Sequence, residues 1–306
     1  MSNKTQEFLK NQGFSCLIEK NKQVTLTGRL NGVLKVINHF NTQSAVRKVV
    51  KVDRNVNRIF QDFSLENGDR SDEFCGGSKQ NLIDDLNGKV NMKNFEKAAQ
   101  KFANSNLSKK LKEQFLQCQP RRMRNKSEYD GEFNESRRYD IAPFDGIKKA
   151  PGFGRAIDVI LFCSVSCQVR SEELNAYGAM AWALVELIEQ CGINARVLLK
   201  YKQSNFLAEA RDGELTINVE AKKEGEYLAP SLLATALKSN FYRRPIFTFI
   251  AMGAECLDEK VSSSLGRPHD LEKKIEFKDG QLIIGPNVRN AGFSEIETEL
   301  LKAVAV

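Results

Sequence analysis

Residues 156–200 form one strand–helix–strand pattern, and this pattern limits the chain to an α/β architecture. Its parts are an apolar run, a polar turn, an amphipathic stretch and a second apolar run, at residues 156–163, 164–171, 172–190 and 193–199. Two apolar strands joined by a helix predict a parallel pair in a sheet that helices cover. Ligands of such sheets bind at the carboxyl ends of the strands, which places the first candidate site in the turn at 164–171.

That turn carries part of a metal-binding pattern. Ser164 and Ser166 have the spacing of the two hydroxyl ligands in the Asp-x-Ser-x-Ser motif of von Willebrand factor A domains. Phe162 stands at the aspartate position, and Met-Gly-Ala at 252–254 replaces the acidic turn expected after a later strand. Since hard divalent cations prefer carboxylate oxygens, we expect a degenerate site at Ser164 and Ser166 that holds no metal. The two hydroxyls would then cap the following helix.

The predicted fold class is α/β, with a von Willebrand A-like (Rossmann-like) three-layer core preceded by a small mixed α+β N-terminal region. After the first unit, the pattern predicts a strand, a helix, a strand, a hairpin and a last helix, at residues 215–219, 231–238, 245–251, 274–284 and 294–304. This alternation of apolar runs and amphipathic stretches is typical of one α/β domain.

We divide the chain into four regions. They are a strand-rich N-terminal region, a helical region, a basic connector and the α/β domain, at residues 1–60, 61–119, 120–152 and 153–306. In the first region, Asn31-Gly32 predicts the turn of a hairpin over residues 24–37. In the second, we predict three helices, at residues 78–88, 91–103 and 107–116. Ser78 would cap the first helix, which ends on Gly88, and apolar residues at helical spacing mark the second.

The sequence offers no catalytic apparatus, so we expect a protein that is not an enzyme. Cys163 and Cys167 follow the first strand, but neither His39 nor His269 has a local context that suggests a base partner. No phosphate-binding loop of the G-x-x-x-x-G-K-[ST] type occurs. We therefore predict no catalytic residue and no cofactor.

The composition of the chain limits where the protein can be located and which partners it can bind. The formal net charge is +7, which is compatible with a solvated basic surface and also favours nucleic acid or another polyanion. The seven cysteines are scattered without a C-x-x-C pair, as in a protein with reduced thiols. No signal-peptide core and no apolar run long enough to cross a bilayer is present. We expect a soluble, intracellular protein.

The basic connector carries the candidate nucleic-acid contacts. Its cations would neutralise phosphates and its aromatic rings would stack on bases, which is the combination that single-strand binding uses. The alternative is a solvated linker whose cations pair with neighbouring acids such as Glu128 and Asp130. The candidate contact residues are Arg121, Arg122, Arg124, Lys126, Tyr129, Arg137, Arg138 and Tyr139.

Eight short segments of the chain form one pattern: FCGGS (74–78), LIDDLNG (82–88), RRMR (121–124), YDG (129–131), IDVI (157–160), SVS (164–166), YGAMAWALV (177–185) and IEQCG (188–192). Together they resemble a family of uncharacterised bacteriophage and plasmid-borne proteins. The resemblance covers residues 74–205 and lacks a catalytic signature. It implies a phage-type protein of the host cytoplasm, with the virion as the alternative location, and a degenerate von Willebrand A-like domain. It carries no established activity over to this chain.

From these observations we predict a non-enzymatic, phage-type protein that binds single-stranded DNA or RNA as an accessory factor in replication or transcription. The alternative is a virion or assembly component whose α/β core makes only protein contacts. Protein partners are expected in either case, and the sequence leaves the oligomeric state open.

Overall fold

A computed structural model describes the chain in twelve segments. They are residues 4–37, 77–85, 89–117, 123–127, 132–133, 144–148, 156–164, 171–191, 193–208, 213–259, 275–278 and 281–284. The predicted helix at 294–304 lies outside these segments.

A seven-stranded mixed sheet forms the centre of the described structure, which confirms the predicted α/β fold. The strand order is β1-β2-β8-β7-β6-β10-β9, and β2–β8, β7–β6 and β6–β10 pair in parallel while the other neighbours are antiparallel. The strands are β1 (Ser15–Glu19), β2 (Gln23–Arg29), β6 (Ala156–Phe162), β7 (Asn194–Ser204), β8 (Glu214–Lys222), β9 (Ile275–Lys278) and β10 (Gln281–Ile284).

The predicted strand–helix–strand unit is confirmed. Helix α6 (Ser171–Gln190) joins β6 to β7, which pair in parallel with Ile157 opposite Ala195 and Leu161 opposite Leu199. The side chains of β7 alternate between buried and half-buried along its whole length. Such alternation means that one face of the sheet is packed and the other is only partly covered.

Helices α6, α7 (Pro230–Ala236) and α8 (residues 239–255) lie on the packed face. Tyr201 of β7 stacks on Tyr242 of α8 and donates a hydrogen bond to the carbonyl of Ala236 of α7. Buried Lys222 of β8 pairs with Glu189 near the end of α6.

Helix α4 (Lys93–Ala103) adds a further layer outside α6. Its buried residues are Phe95, Ala99 and Phe102, and the Phe95 ring lies 6.4 Å from that of Trp182. The described layers are therefore sheet, helices, and outer helix. In a Rossmann-like core the sheet is the middle layer. The remaining described helices are α1 (Lys4–Asn11), α2 (residues 30–37), α3 (Lys79–Asp84) and α5 (Asn106–Gln117).

The three helices predicted in the helical region are confirmed as α3, α4 and α5, while residues 86–88, the predicted end of the first, lie outside the described segments. Ser78 is the N-cap of α3, since its hydroxyl accepts a hydrogen bond from the N–H of Asn81 at 3.1 Å. In α4 the apolar spacing that predicted the helix corresponds to the buried stripe. Both signals are local, which is why the sequence was sufficient here.

The predicted strand at 245–251 is wrong, because these residues are helical. Helix α8 consists of Ser239–Phe241, a π-helical turn at Tyr242–Ile246 and Phe247–Glu255. Every residue of Phe247–Ala254 is buried. A continuous apolar run fits a buried strand and a buried helix equally well. The wider π turn accommodates Pro245, which lacks the N–H that a regular α-helix would use.

The predicted hairpin at 24–37 is also wrong. Strand β2 ends at Arg29 and helix α2 follows at once, burying Leu30, Val33 and Val36 at helical spacing. The hairpin instead joins β1 to β2 through a turn in which Asn21 has φ 67°. That turn contains no glycine, so it lacked the usual sequence signature.

The part of the basic connector that the structure describes is strand, not irregular linker. It forms a three-stranded antiparallel sheet in the order β3-β5-β4. The strands are β3 (Met123–Ser127), β4 (Glu132–Phe133) and β5 (Phe144–Lys148).

The N-terminal strands belong to the same sheet as the α/β domain, since β2 pairs with β8 over seven residues from Gln23–Glu214 to Arg29–Glu220. The predicted strand at 215–219, helix at 231–238 and hairpin at 274–284 are confirmed as β8, α7 and β9–β10. The region boundaries at 60, 119 and 152 stay a prediction.

Candidate functional site at the carboxyl ends of the parallel strands

The carboxyl ends of β6 and β10 form the position at which open α/β sheets usually bind ligands. From β6 the chain crosses to β7 on one side, while β10 lies on the other, so the crevice between β6 and β10 is a topological switch point. Tyr177 of α6 fills this crevice. Its hydroxyl donates a hydrogen bond to the carbonyl of Ile284 at 2.9 Å and lies 3.4 Å from that of Phe162. The switch point is therefore occupied by the protein's own side chain.

Ser164 extends the strand pairing beyond the end of β6. Its hydroxyl accepts a hydrogen bond from the N–H of Lys202 at 2.7 Å and donates one to the carbonyl of the same residue at 2.9 Å. The side chain is buried against β7, and α6 begins only at Ser171. The expectation that Ser164 caps the helix is therefore wrong, while Ser166 lies outside the described segments.

Buried hydroxyl and thiol groups surround Ser164, and burial keeps them neutral. Burial raises the pKa of Cys163, Tyr177, Tyr201 and Tyr242. The space lined by Ser164, Tyr201 and Tyr242 is too small to hold a water molecule. This cluster therefore offers neither a base nor room for a substrate.

Within the described segments, no three His, Cys, Asp or Glu side chains come together as a possible metal site. None of the helices in these segments is long and apolar enough to cross a bilayer.

The structure places two of the predicted nucleic-acid contacts on a strand. Arg124 and Lys126 occupy alternate positions of β3, and the register sets them opposite Ile147 and Asp145 of β5. The other predicted contacts, Arg121, Arg122, Tyr129, Arg137, Arg138 and Tyr139, lie outside the described segments.

The half-buried face of the seven-stranded sheet, here called the open face, carries cations that the site prediction missed. Lys200 of β7 lies with its Nζ 5.3 Å from the ring centroid of Phe162 on β6. Burial, and then the charge of Lys202, lower the pKa of Lys200. The cations before and after Lys200 on the same face of β7 are ion-paired. Arg196 pairs with Asp158 at 2.9 Å, and Lys202 pairs with Glu214 at 3.0 Å.

An apolar row crosses the same face. The register sets Ile283 of β10 beside Ile160 of β6, and Ile160 beside Leu198 of β7. All three side chains are half-buried. The period-two alternation of residues 194–204 could have revealed both the cations and this row, because it separates the two faces of β7.

These features define an α/β protein in which helices α6, α7 and α8 pack on one face of the sheet, while half-buried charged and apolar side chains line the other face. Residues 146–301, just over half of the chain, match the family described as "Domain of unknown function (DUF7192)". The chain belongs to this family. No curated protein and no solved structure matches the chain.

Proposed function

We propose that this protein binds single-stranded nucleic acid without catalysing a reaction. The observation that carries the proposal is on the open face, where the half-buried Lys200 lies over the ring of Phe162 on the adjacent strand. A sheet surface of this kind can stack bases on the ring and hold phosphates with the cations. Phe162 and Lys200 are the residues to which we assign these two tasks.

The basic segment adds a second set of contacts. Arg121, Arg122 and Arg124 stand within four residues, and Arg137 and Arg138 follow at a short distance in the sequence. The net charge of +7 favours a polyanionic partner for the chain as a whole. We assign phosphate neutralisation to these arginines and to Lys126, with Tyr129 and Tyr139 as stacking residues.

The buried cluster at the strand ends supports a binding role over an enzymatic one. A general base or nucleophile needs a pKa near the working pH and access to a substrate. The thiol of Cys163 and the hydroxyl of Tyr177 are instead enclosed, and burial raises the pKa of both. This leaves the open face and the basic segment as the surfaces for function.

A fluorescence-anisotropy titration with labelled single-stranded DNA and RNA, repeated over a salt series, tests the proposal. Replacing Arg121, Arg122 and Arg124 together by Ala should lower the salt slope by about 2, since each phosphate contact on a single strand contributes about 0.7. The control replaces three exposed lysines of α5, Lys109, Lys110 and Lys112, by Ala, which removes the same charge. Equal slopes for the two triple variants would rule out the arginine assignment.

The open face is tested separately with Phe162→Ala. We expect an affinity loss of about tenfold at constant salt slope, because a stacking contact contributes roughly 1–3 kcal/mol and no charge. The control variant is Tyr227→Phe, which changes an aromatic side chain that is 74% exposed and keeps its ring. Absence of binding to both DNA and RNA at low salt would refute the function itself.

A second candidate function rests on the apolar row of the open face. Ile160, Leu198 and Ile283 are half-buried neighbours on three strands, and such a row fits a partner protein in a virion or an assembly intermediate. Mass spectrometry of purified particles separates the two functions. A stoichiometric band favours the structural component, and its absence together with nucleic-acid binding favours the accessory factor.

The resemblance noted in the sequence supplies the biological setting of the proposal. We infer a phage-type protein that acts in the host cytoplasm, in replication or transcription, and whose core is von Willebrand A-like. Protein partners and self-association are compatible with the same surfaces.

A further inference from the structure

Two thiols that are far apart in the sequence, those of Cys16 and Cys256, lie together at the edge of the packed face. Cys16 lies on the edge strand β1 and is partly buried, whereas Cys256 is buried at the C-cap of α8. Their side chains are hydrogen-bonded to each other, and both cysteines are free thiols. Neither the proposed function nor the family assigns a role to this pair.

The surrounding contacts hold the two elements in register. The ring of Phe14, just before β1, lies 4.7 Å from that of Phe249 on α8, and Thr5 of α1 donates a hydrogen bond to Glu255 at 3.0 Å. Lys22 in the β1–β2 turn pairs with Glu259 at 2.8 Å. The thiols therefore face each other across an interface that packing and polar contacts fix on both sides.

We propose that Cys16 and Cys256 are a reactive dithiol that small-molecule disulfides, such as oxidised glutathione, convert to an intramolecular disulfide. The inference is independent of nucleic-acid binding, since it rests on residues of the packed face and the sheet edge.

The chemistry proceeds in two balanced exchanges. The Cys16 thiolate attacks one sulfur of the small disulfide, forming a mixed disulfide and releasing one thiolate, which takes up the proton that Cys16 has lost. The Cys256 sulfur then attacks Cys16 and releases the second small thiol, which carries the proton from Cys256. Two protein thiols are oxidised, and one small disulfide is reduced to two thiols.

The environment assigns the two roles. Cys16 is the more accessible thiol, and the hydrogen bond from Cys256 lowers its pKa, so it is the attacking group. The hydrogen bond to Cys16 and then burial raise the pKa of Cys256, so it reacts second, once its partner is in the mixed disulfide. Cys163 and Cys191 are buried, and burial raises the pKa of each, which makes them the matched unreactive thiols.

The test incubates the full-length protein with oxidised and reduced glutathione at a series of ratios, alkylates the free thiols and maps the peptides without reduction. We expect one peptide that links Cys16 to Cys256. The cross-link should persist in Cys163→Ser and disappear in Cys16→Ser. Because Cys16 is partly exposed, the Cys16→Ser variant should fold normally even if Cys256→Ser does not.

Thermal unfolding gives a second readout. A cross-link between Cys16 and Cys256 closes a long loop and restricts the unfolded state. Oxidation should therefore raise the Tm by roughly 5–10 °C, and dithiothreitol should reverse the shift. The proposal is overturned if the oxidised protein contains only a glutathione adduct at Cys16. Cross-links that involve other cysteines, without a linked Cys16–Cys256 peptide, would overturn it as well.

Discussion

The two faces of the seven-stranded sheet are built by the same strands and differ in nearly every physical property. On the packed face, Val197, Leu199 and Val219 are fully buried under helices. On the open face, Arg196, Leu198 and Lys200 are half-buried, and charged groups pair across neighbouring strands. From this contrast we predict that stability resides mainly on the packed face. The predictions below test that division.

The largest effect is expected from a truncated aromatic ring. Phe249→Ala on α8 removes a fully buried ring that packs on Phe14, and should lower the free energy of unfolding by about 3–5 kcal/mol. The same change on the open face, Phe162→Ala, should cost about 1 kcal/mol or less. Urea denaturation of both variants measures the difference. Equal losses would show that the open face is packed as tightly as the other.

A pair of lysines on the sheet gives the next test. The fully buried Nζ of Lys222 donates hydrogen bonds to the carbonyls of Ala195 at 2.7 Å and Lys223 at 3.1 Å and pairs with Glu189. Lys222→Met leaves these acceptors without their donor and should cost about 2–4 kcal/mol. Lys202→Met, on the open face, removes a half-exposed ion pair and should cost about 1 kcal/mol or less. The comparison fails if Lys202→Met is the more harmful change.

A smaller loss is expected at the switch point. Tyr177→Phe keeps the ring in the crevice and removes the hydrogen bond to Ile284. The buried carbonyl loses its donor, so we expect a cost of about 1–2 kcal/mol in urea denaturation. Tyr227→Phe is the exposed control and should change stability by less than about 0.5 kcal/mol. No loss in Tyr177→Phe would mean that another donor reaches that carbonyl.

The smallest effect belongs to an ion pair of the open face. Asp158→Asn breaks the contact with Arg196, whose side chain is 39% exposed. Solvent screens such pairs, so the cost should be about 0–1 kcal/mol and should shrink in 1 M salt. Chemical denaturation at low and high salt checks this. A cost that salt leaves unchanged would indicate that the pair is shielded from solvent.

Local patterns predicted the elements that depend on neighbours in sequence. The strand–helix–strand unit, the helix capped by Ser78 and the apolar stripe of α4 were all correct. Each rests on spacing or capping within a few residues. The hairpin predicted from Asn31-Gly32 failed because the helical spacing of Leu30 and Val33 outweighed the turn dipeptide.

The candidate site was less accessible to sequence reasoning. Ser164 was singled out correctly as a residue at a strand end, but its partner, the backbone of Lys202, lies on another strand. The crevice beside it is filled by Tyr177, which comes from a helix. Which side chain fills a crevice depends on how the helices and strands pack together, and the hydrophobic periodicity of a single element does not predict this.

The sequence by itself determined the α/β class, the parallel pair β6–β7 and most of the helices, because hydrophobic periodicity fixes which side of each element is buried. The tertiary structure alone decided that the apolar run at 245–251 is a helix and that α6, α7 and α8 share one face of the sheet. It also brought Cys16 to Cys256. These outcomes depend on contacts between segments far apart in the chain, whose energies no single segment contains.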